Sequence, residues 1–453
     1  MNCVNFSRAI SAVRVKTTST LAVLALFSFN SVSAELSLQQ AQELAIANDP
    51  LLKGNNYRQQ ALRSDQTASD FWANPQLSTS VQNLPTDGFS LNQEPMTQVK
   101  IGIKQQLPRG DVNTLNREKL AVMEKEIDVN TLARIAWLKK SVALVWLDWY
   151  NAHERVRLLE EEERLLKQLM DITESRYSQG LGKAQQSDIL QVRLAQLTLE
   201  DKKTIASQSL DEAHAALSEF YGAPIVDEMA PNTLRLDALV GEDENALTAF
   251  YRIVSDSEPF TLFQRHPEAL SVQMKTQAQE KQVEIAREQT KSQWSVEASY
   301  GYRQDAQNGT SRADFLSVGV QVDLPYFTQP KQNADIAAAL SRVNALKTDF
   351  RLKVNALASQ AEVLKARLSS LIQRKSLYQG GLTSEVDGLA QTLLTAYTSD
   401  TANFSDVIGA LLRQVQIQDV LLSIQIEEAK TLVSLAYLYL PSIETQPQQH
   451  TGK

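Results

Sequence analysis

Val99-Lys100-Ile101-Gly102-Ile103-Lys104-Gln105-Gln106-Leu107-Pro108 is answered later in the chain by Leu316-Ser317-Val318-Gly319-Val320-Gln321-Val322-Asp323-Leu324-Pro325. In both stretches apolar side chains take nearly every second position, a glycine sits in the middle and a Leu-Pro pair ends the run. A period of two marks a strand with one oily and one wet face. The offset that carries Val99 onto Leu316 also carries Pro50 onto Pro267, so the chain holds an internal two-fold sequence repeat.

Long helical sequence flanks each strand pair. No Gly or Pro interrupts the chain from Asp111 to Ser175, which predicts a helix roughly 95 Å long. Ile135, Val142, Trp149, Val156 and Met170 fall on one heptad position, and Leu138, Val145, Ala152, Leu159 and Leu166 on the other, with Glu163 the one defect. That spacing predicts coiled-coil packing. The acidic run Glu160 to Glu163, followed by Arg164 and Lys167, reads as a solvated face laced by i,i+4 pairs. Leu357, Leu364, Leu371 and Tyr378 keep the seven-residue step in the second half.

The first repeat, 35–222, is read as a helix over 36–72, strands over 76–84 and 97–107, and helices over 111–175 and 184–221. A connector over 223–260, rich in Pro, Gly and acids, leads to the second repeat, 261–440. That repeat holds a helix over 261–291, strands over 294–303 and 314–324, and helices over 333–397 and 404–440. Residues 441–453 read as a disordered polar tail. Residues 1–34 read as an export signal: Arg8, Arg14 and Lys16, then a short apolar core, then Val32-Ser33-Ala34 as a cleavage site. The one cysteine, Cys3, belongs to that segment, so no disulfide is expected afterwards. A net charge of −8, more negative once the basic signal is removed, disfavours a nucleic-acid partner.

The strand length of about 9–11 residues suits a tilted strand crossing an apolar band of roughly 25 Å. Lys100, Lys104, Glu297, Arg303 and Asp323 fall opposite the oily faces and are expected to line a wet barrel lumen. A soluble sheet with one wet face has the same alternation; the export signal, the very long helices and the duplication favour a membrane barrel. Four strands cannot close one, because small barrels need about eight. The chain must therefore pool strands between copies, and the charged inner face favours three copies over two.

At this point the chain resembles the TolC-family outer-membrane efflux proteins over nearly all of the sequence after the signal. The turn Arg176-Tyr177-Ser178-Gln179-Gly180-Leu181, followed by Ser187-Asp188-Ile189-Leu190, resembles the family's first periplasmic tip. Ala396-Tyr397, running to Ser405-Asp406-Val407-Ile408, resembles the second. The resemblance implies a mainly α fold with β: a long α-helical coiled-coil barrel and a transmembrane β-barrel built by trimerisation, four strands per protomer. It implies a homotrimer in the outer membrane of a Gram-negative bacterium, with outer-membrane lipid around the barrel and the helical tunnel in the periplasm. A periplasmic adaptor and an inner-membrane pump of the resistance–nodulation–division (RND) type would be its partners. The resemblance marks Arg176, Tyr177, Gly180, Leu181, Ser187 and Asp188 as adaptor-docking tip residues, and Asp406, Asp400 and Tyr397 as the periplasmic gate. Gly409 and Ala402 stand where the family carries an aspartate and an arginine, and Asp400 where it carries glycine.

Trp72-Ala73-Asn74-Pro75, Asn83 to Phe89, Gln93 to Thr97 and Gln106 to Asp111 resemble the heavy-metal, cation-efflux branch (CzcC/CusC-like). Met96 reads as loop filler before it reads as a soft-metal ligand. No catalytic constellation, cofactor motif or phosphate-cradling loop stands out. His153, His214, His266 and His450 show no metal-ligand spacing, so neither an enzyme nor a resident metal is expected. The competing readings are a multidrug or type I protein export channel and, from another class, a structural trimeric coiled-coil surface protein.

Overall fold

The computed structural model describes residues 35–179, 185–221, 246–256 and 259–440, with 230, 231, 233, 234, 236 and 239 between. The segment 1–34, the tail 441–453, parts of the connector 223–260, and Gly180 and Leu181 lie outside the described residues.

A short strand β1 (Glu35–Leu36) pairs in parallel with β4 (Ala230–Pro231). Where a single helix over 36–72 was expected, two form: α1 (Leu38–Asn48) and α2 (Pro50–Ser69). Pro50 has no N–H and disfavours a helical residue before it, so Asp49 turns extended and caps α2 by accepting from Leu52 N at 2.9 Å. Arg134 fixes that cap through an ion pair of 2.7 Å. Strands β2 (Gln76–Gln82) and β3 (Gln98–Gln106) follow, then α3 (Val112–Ser178) and α4 (Gln186–Tyr221). With 67 residues, α3 is about 100 Å long.

The second half begins with α5 (Ala246–Asp256) and α6 (Pro259–Phe263), then α7 (Pro267–Glu288). The break expected nowhere in 261–291 falls at His266, again ahead of a proline. Strands β5 (Trp294–Tyr302) and β6 (Phe315–Val322) lead through a 3-10 turn into α8 (Gln329–Leu377). A π turn, Tyr378–Leu382, joins α8 to α9 (Thr383–Thr398), and α10 (Phe404–Leu438) closes the unit.

Beside the sheet, α2, α3, α7 and α8 lie side by side in that order; toward the other end the order is α4, α3, α10, α9. α3 therefore runs the whole length and serves both layers. Its seam is wider than a two-position heptad: Leu138, Val142, Trp149, Ala152 and Leu166 are buried, and so are Ala143, Trp146 and Leu147. At mid-length α1, α4 and α10 all press on α3, and an element packed on several sides buries more than one stripe. Phe250 of α5 and Phe263 of α6 meet Tyr439 edge-on, at 6.4 and 5.6 Å between ring centres, fastening the connector to the stalk. Among the described helices α10 alone is long and apolar enough to span a membrane, and its apolar residues pack against α3, α8 and α9.

The acidic run is not all solvated. Glu162 is 3% exposed, faces α4 and pairs with Lys202 at 3.3 Å. The face expected to meet water turns here into the α3–α4 seam. Glu163 is bridged by Lys167 and Lys203, at 2.8 and 2.6 Å, and these partners hold its carboxyl at about 2.

His266 is fully buried. Its Nδ1 accepts from Glu268 N at 3.3 Å as the cap of α7, so Nε2–H donates to the Tyr437 carbonyl at 3.1 Å. Burial pushes the imidazole below its ordinary value, against the Glu268 carboxylate and alongside Lys140 and Lys353. Burial alone would raise Glu268, but the Tyr437 hydroxyl and Lys353, at 3.0 Å, outweigh it and hold that carboxyl low. A neutral histidine with a depressed folded value stabilises fully above the unfolded value, and that contribution fades as pH falls below about 6.5. Glu268 adds a second loss only below about 4.5, its own unfolded range. The thermal midpoint of the protein is expected to fall between pH 7 and 5. His266→Asn, whose amide oxygen keeps the cap but which loses the bond to Tyr437, should flatten that limb while costing about 1–3 kcal/mol at pH 7.

Candidate functional site

The sheet has the order β2-β3-β5-β6, antiparallel throughout. Its cross-strand rows separate by chemistry. Leu77, Ile103, Ala298 and Val318 stand in one row; Thr79, Ile101, Tyr300 and Leu316 in the next; Val81, Val99 and Tyr302 in a third. This face is uncovered: Leu77 is 79% exposed, Leu316 78% and Val318 72%. An apolar patch spanning four strands is far larger than single exposed leucines and marks a surface that another phase or partner covers. Trp294, Tyr326 and Phe327 are exposed where the sheet meets the helices.

The opposite face carries Gln76, Lys104, Glu297 and Gly319 in one row, Ser78, Gly102, Ser299 and Ser317 in the next, and Ser80, Lys100, Gly301 and Phe315 in the third. It is crowded near its centre, which explains the glycine of the first motif: a Cβ on Gly102 would lie 3.0 Å from Ser78 Oγ and 3.2 Å from Ser299 Cβ. Lys100 reaches Glu297 at 3.4 Å and Lys104 donates to Gln321 Oε1 at 2.5 Å. Of the five residues assigned to the wet wall, Lys100, Lys104 and Glu297 stand within strands. Asp323 lies just past β6, where it pairs with Arg109 and accepts from Gln293 N. Arg303 lies just past β5, 4.0 Å over the Phe315 ring, and donates to the carbonyls of Ala313 and, at 3.1 Å, Pro95. With Arg312, which donates to the Glu94 carbonyl at 3.0 Å, it ties the two strand-connecting loops together. Both outer strands, β2 and β6, have an open edge.

At the far end of the stalk, Arg176 in the last turn of α3 reaches the turn between α9 and α10. It donates to the Tyr397 carbonyl at 2.7 Å and to Asp400 Oδ1 at 2.5 Å, and its guanidinium stands 4.7 Å from the Tyr397 ring centre. Asp400 sits at φ 67°, a left-handed conformation that glycine adopts freely and that aspartate tolerates. Tyr397 is buried edge-on against Phe404, 5.7 Å between rings, and burial pushes its phenol up. Asp188 turns back on its own helix start, accepting from Gln185 N at 3.0 Å and Ser187 Oγ at 3.3 Å. Tyr177, Ser187 and Asp406 are exposed, Asp406 in the first turn of α10. Arg176 is thus turned inward, to the second turn, where sequence reasoning had placed it on a docking surface. Its contact with Asp400 had no local signal, since the two are far apart in the chain. Among the described residues no three His, Cys, Asp or Glu side chains gather as a metal site.

No protein-family model matches the chain, and neither does any curated protein. Solved structures do. CusC, described for the conformational changes accompanying folding and transmembrane channel formation, matches with a TM-score of 0.71 and 15% identity, over 89% of this chain and 91% of that one. The outer-membrane channel OprN gives 0.72 and 15%, over 89% of each. The outer membrane protein VceC of Vibrio cholerae gives 0.69 and 14%, over 89% of this chain and 96% of that one. This chain has the fold of those channels. At such identity the likeness is one of architecture: a helical stalk that carries strands for a barrel.

An ion pair half open to water contributes about 0–1 kcal/mol, and a guanidinium near an aromatic face about 0.5–1. The Arg176 clasp is therefore a light fastening. Arg176→Ala and Asp400→Asn are each expected to speed amide exchange over 396–406 by roughly three- to tenfold, and the double variant no more than the stronger single. Additive effects would mean that the two side chains do not act on each other.

Proposed function

We propose that this protein is the outer-membrane channel component of a tripartite efflux system, a TolC-like homotrimer. The observation that carries the reading is the uncovered oily face of a four-stranded sheet whose two edges are both open. In lipid every backbone N–H and C=O must find a partner, so such a sheet is stable only when closed by strands from other copies. The edges differ in sequence, so copies join head to tail and close a ring. Three copies give about twelve strands and a wet lumen. Its place is the outer membrane of a Gram-negative bacterium, with the stalk in the periplasm.

The tip is the natural gate. Asp400, Tyr397 and Asp406 stand where three stalks would converge, and the Arg176 clasp holds the second turn against the first hairpin. Tyr177 and Ser187 offer exposed surface for an adaptor that links the channel to an RND pump. For the cargo, the segments around the first outer loop favour heavy-metal cations; multidrug or type I protein export is the second reading.

Refolded protein in planar bilayers is expected to show discrete conductance steps, and Asp406→Ala to raise the conductance of the isolated channel by about twofold or more. Absence of steps from correctly assembled trimers would overturn the channel reading, and unchanged conductance would remove Asp406 from the constriction. Cysteines at Lys100 or Lys104 should react with membrane-impermeant thiol reagents while those at Val318 or Val320 stay protected; the reverse would invert the sheet.

A further inference from the structure

Only three charged residues stand on the polar face within the four strands: Lys100, Lys104 and Glu297. They do not cancel. Glu297 lies directly across from Lys104 in the register, yet its carboxylate is engaged by Lys100 at 3.4 Å. Lys104 is left with the neutral Gln321 amide at 2.5 Å. Asp323, the acid nearest the foot of the strands, is taken by Arg109. Lys104 lines a recess of about 150 Å³ with Gln76, Gln106, Gln321 and Asp323, whose carboxylate is already paired with Arg109. The strands thus carry one surplus positive charge per copy, placed toward the helix-side end of β3, across from Gln76.

We infer that Lys104 sets the charge preference of the barrel's inner wall, making this section of the bore favour anionic solutes over free cations. The inference rests on the proposed channel, in which symmetry would bring the copies of Lys104 to one height as a positive ring. A charged lining between low-dielectric walls focuses its field into the water it encloses. A free cation meets this ring from either side, so exported cations would cross it only because the partner pump drives them. Cations outside would meet the same barrier to re-entry.

The test reads the potential beside the ring and bypasses the gate. Gly319 lies on the same face, paired with Glu297 and two residues from Gln321, and a Cβ there meets nothing within 4 Å. The full-length protein carrying Cys3→Ser and Gly319→Cys is assembled in liposomes and treated from outside with methanethiosulfonates. One reagent bears a sulfonate and one a trimethylammonium, each rate being normalised to a free thiol. The anionic reagent should react faster. Lys104→Gln should lower the anion-to-cation ratio about three- to tenfold at low salt, Lys104→Arg should restore it, and the difference should shrink near 1 M salt, where charges are screened beyond about 3 Å. A ratio unmoved by Lys104→Gln overturns the inference and leaves the channel standing. Failure of both reagents to react shows a dry wall and overturns the two together.

Discussion

The constraint on which the structure depends is the unpaired backbone at the rims of a narrow sheet. Strands β2 and β6 each present one free row of N–H and C=O groups, and the oily side chains between them face outward. In water such edges invite pairing with any other strand; in lipid they demand it. Everything else in the chain is consistent with satisfying that demand by a ring of copies. The repeat supplies two hairpins, the hairpins pair through β3 and β5, and the leftover edges on β2 and β6 differ from each other in sequence.

The helices hold the strands at one end and the turns that join α3 to α4 and α9 to α10 at the other. α3 does this by running unbroken past both layers, with α2, α7 and α8 beside it near the sheet and α4, α10 and α9 beyond. Its middle is the most heavily packed part of the stalk: Trp146 and Trp149 are buried there, with Leu36, Val142 and Leu217 around them. A second cluster gathers Phe250 of α5 and Phe263 of α6 around Tyr439. Toward the tip the packing thins to one cluster around Tyr397 and Phe404, and the fastening across the hairpins rests on a half-exposed ion pair.

Charge is distributed along the long axis to match. The stalk is laced with ion pairs between neighbouring helices, among them Glu162 with Lys202 and Lys375 with Glu428 at 2.7 Å, which fix register where apolar contacts alone would slide. On the sheet's polar face pairing is incomplete: Lys100 engages Glu297, and Lys104 meets only the neutral Gln321 amide.

The sequence by itself determined the class of fold, because periods of two and seven are local records of which face of an element is oily; the strand–helix frame, the duplication and the wet set Lys100, Lys104 and Glu297 all follow from them. Local signals also placed Pro50 and Pro267, but their effect in splitting helices at Asp49 and His266 was outweighed by the apolar run on either side. What only the tertiary structure decided depends on elements brought together from far along the chain. Glu162 looks solvated until α4 covers it, Trp146 and Leu147 look off the seam until a third helix presses on α3, and Arg176 looks free until the second turn arrives beside it. Periodicity reports one face of one helix; it carries no record of the neighbour that will cover the other.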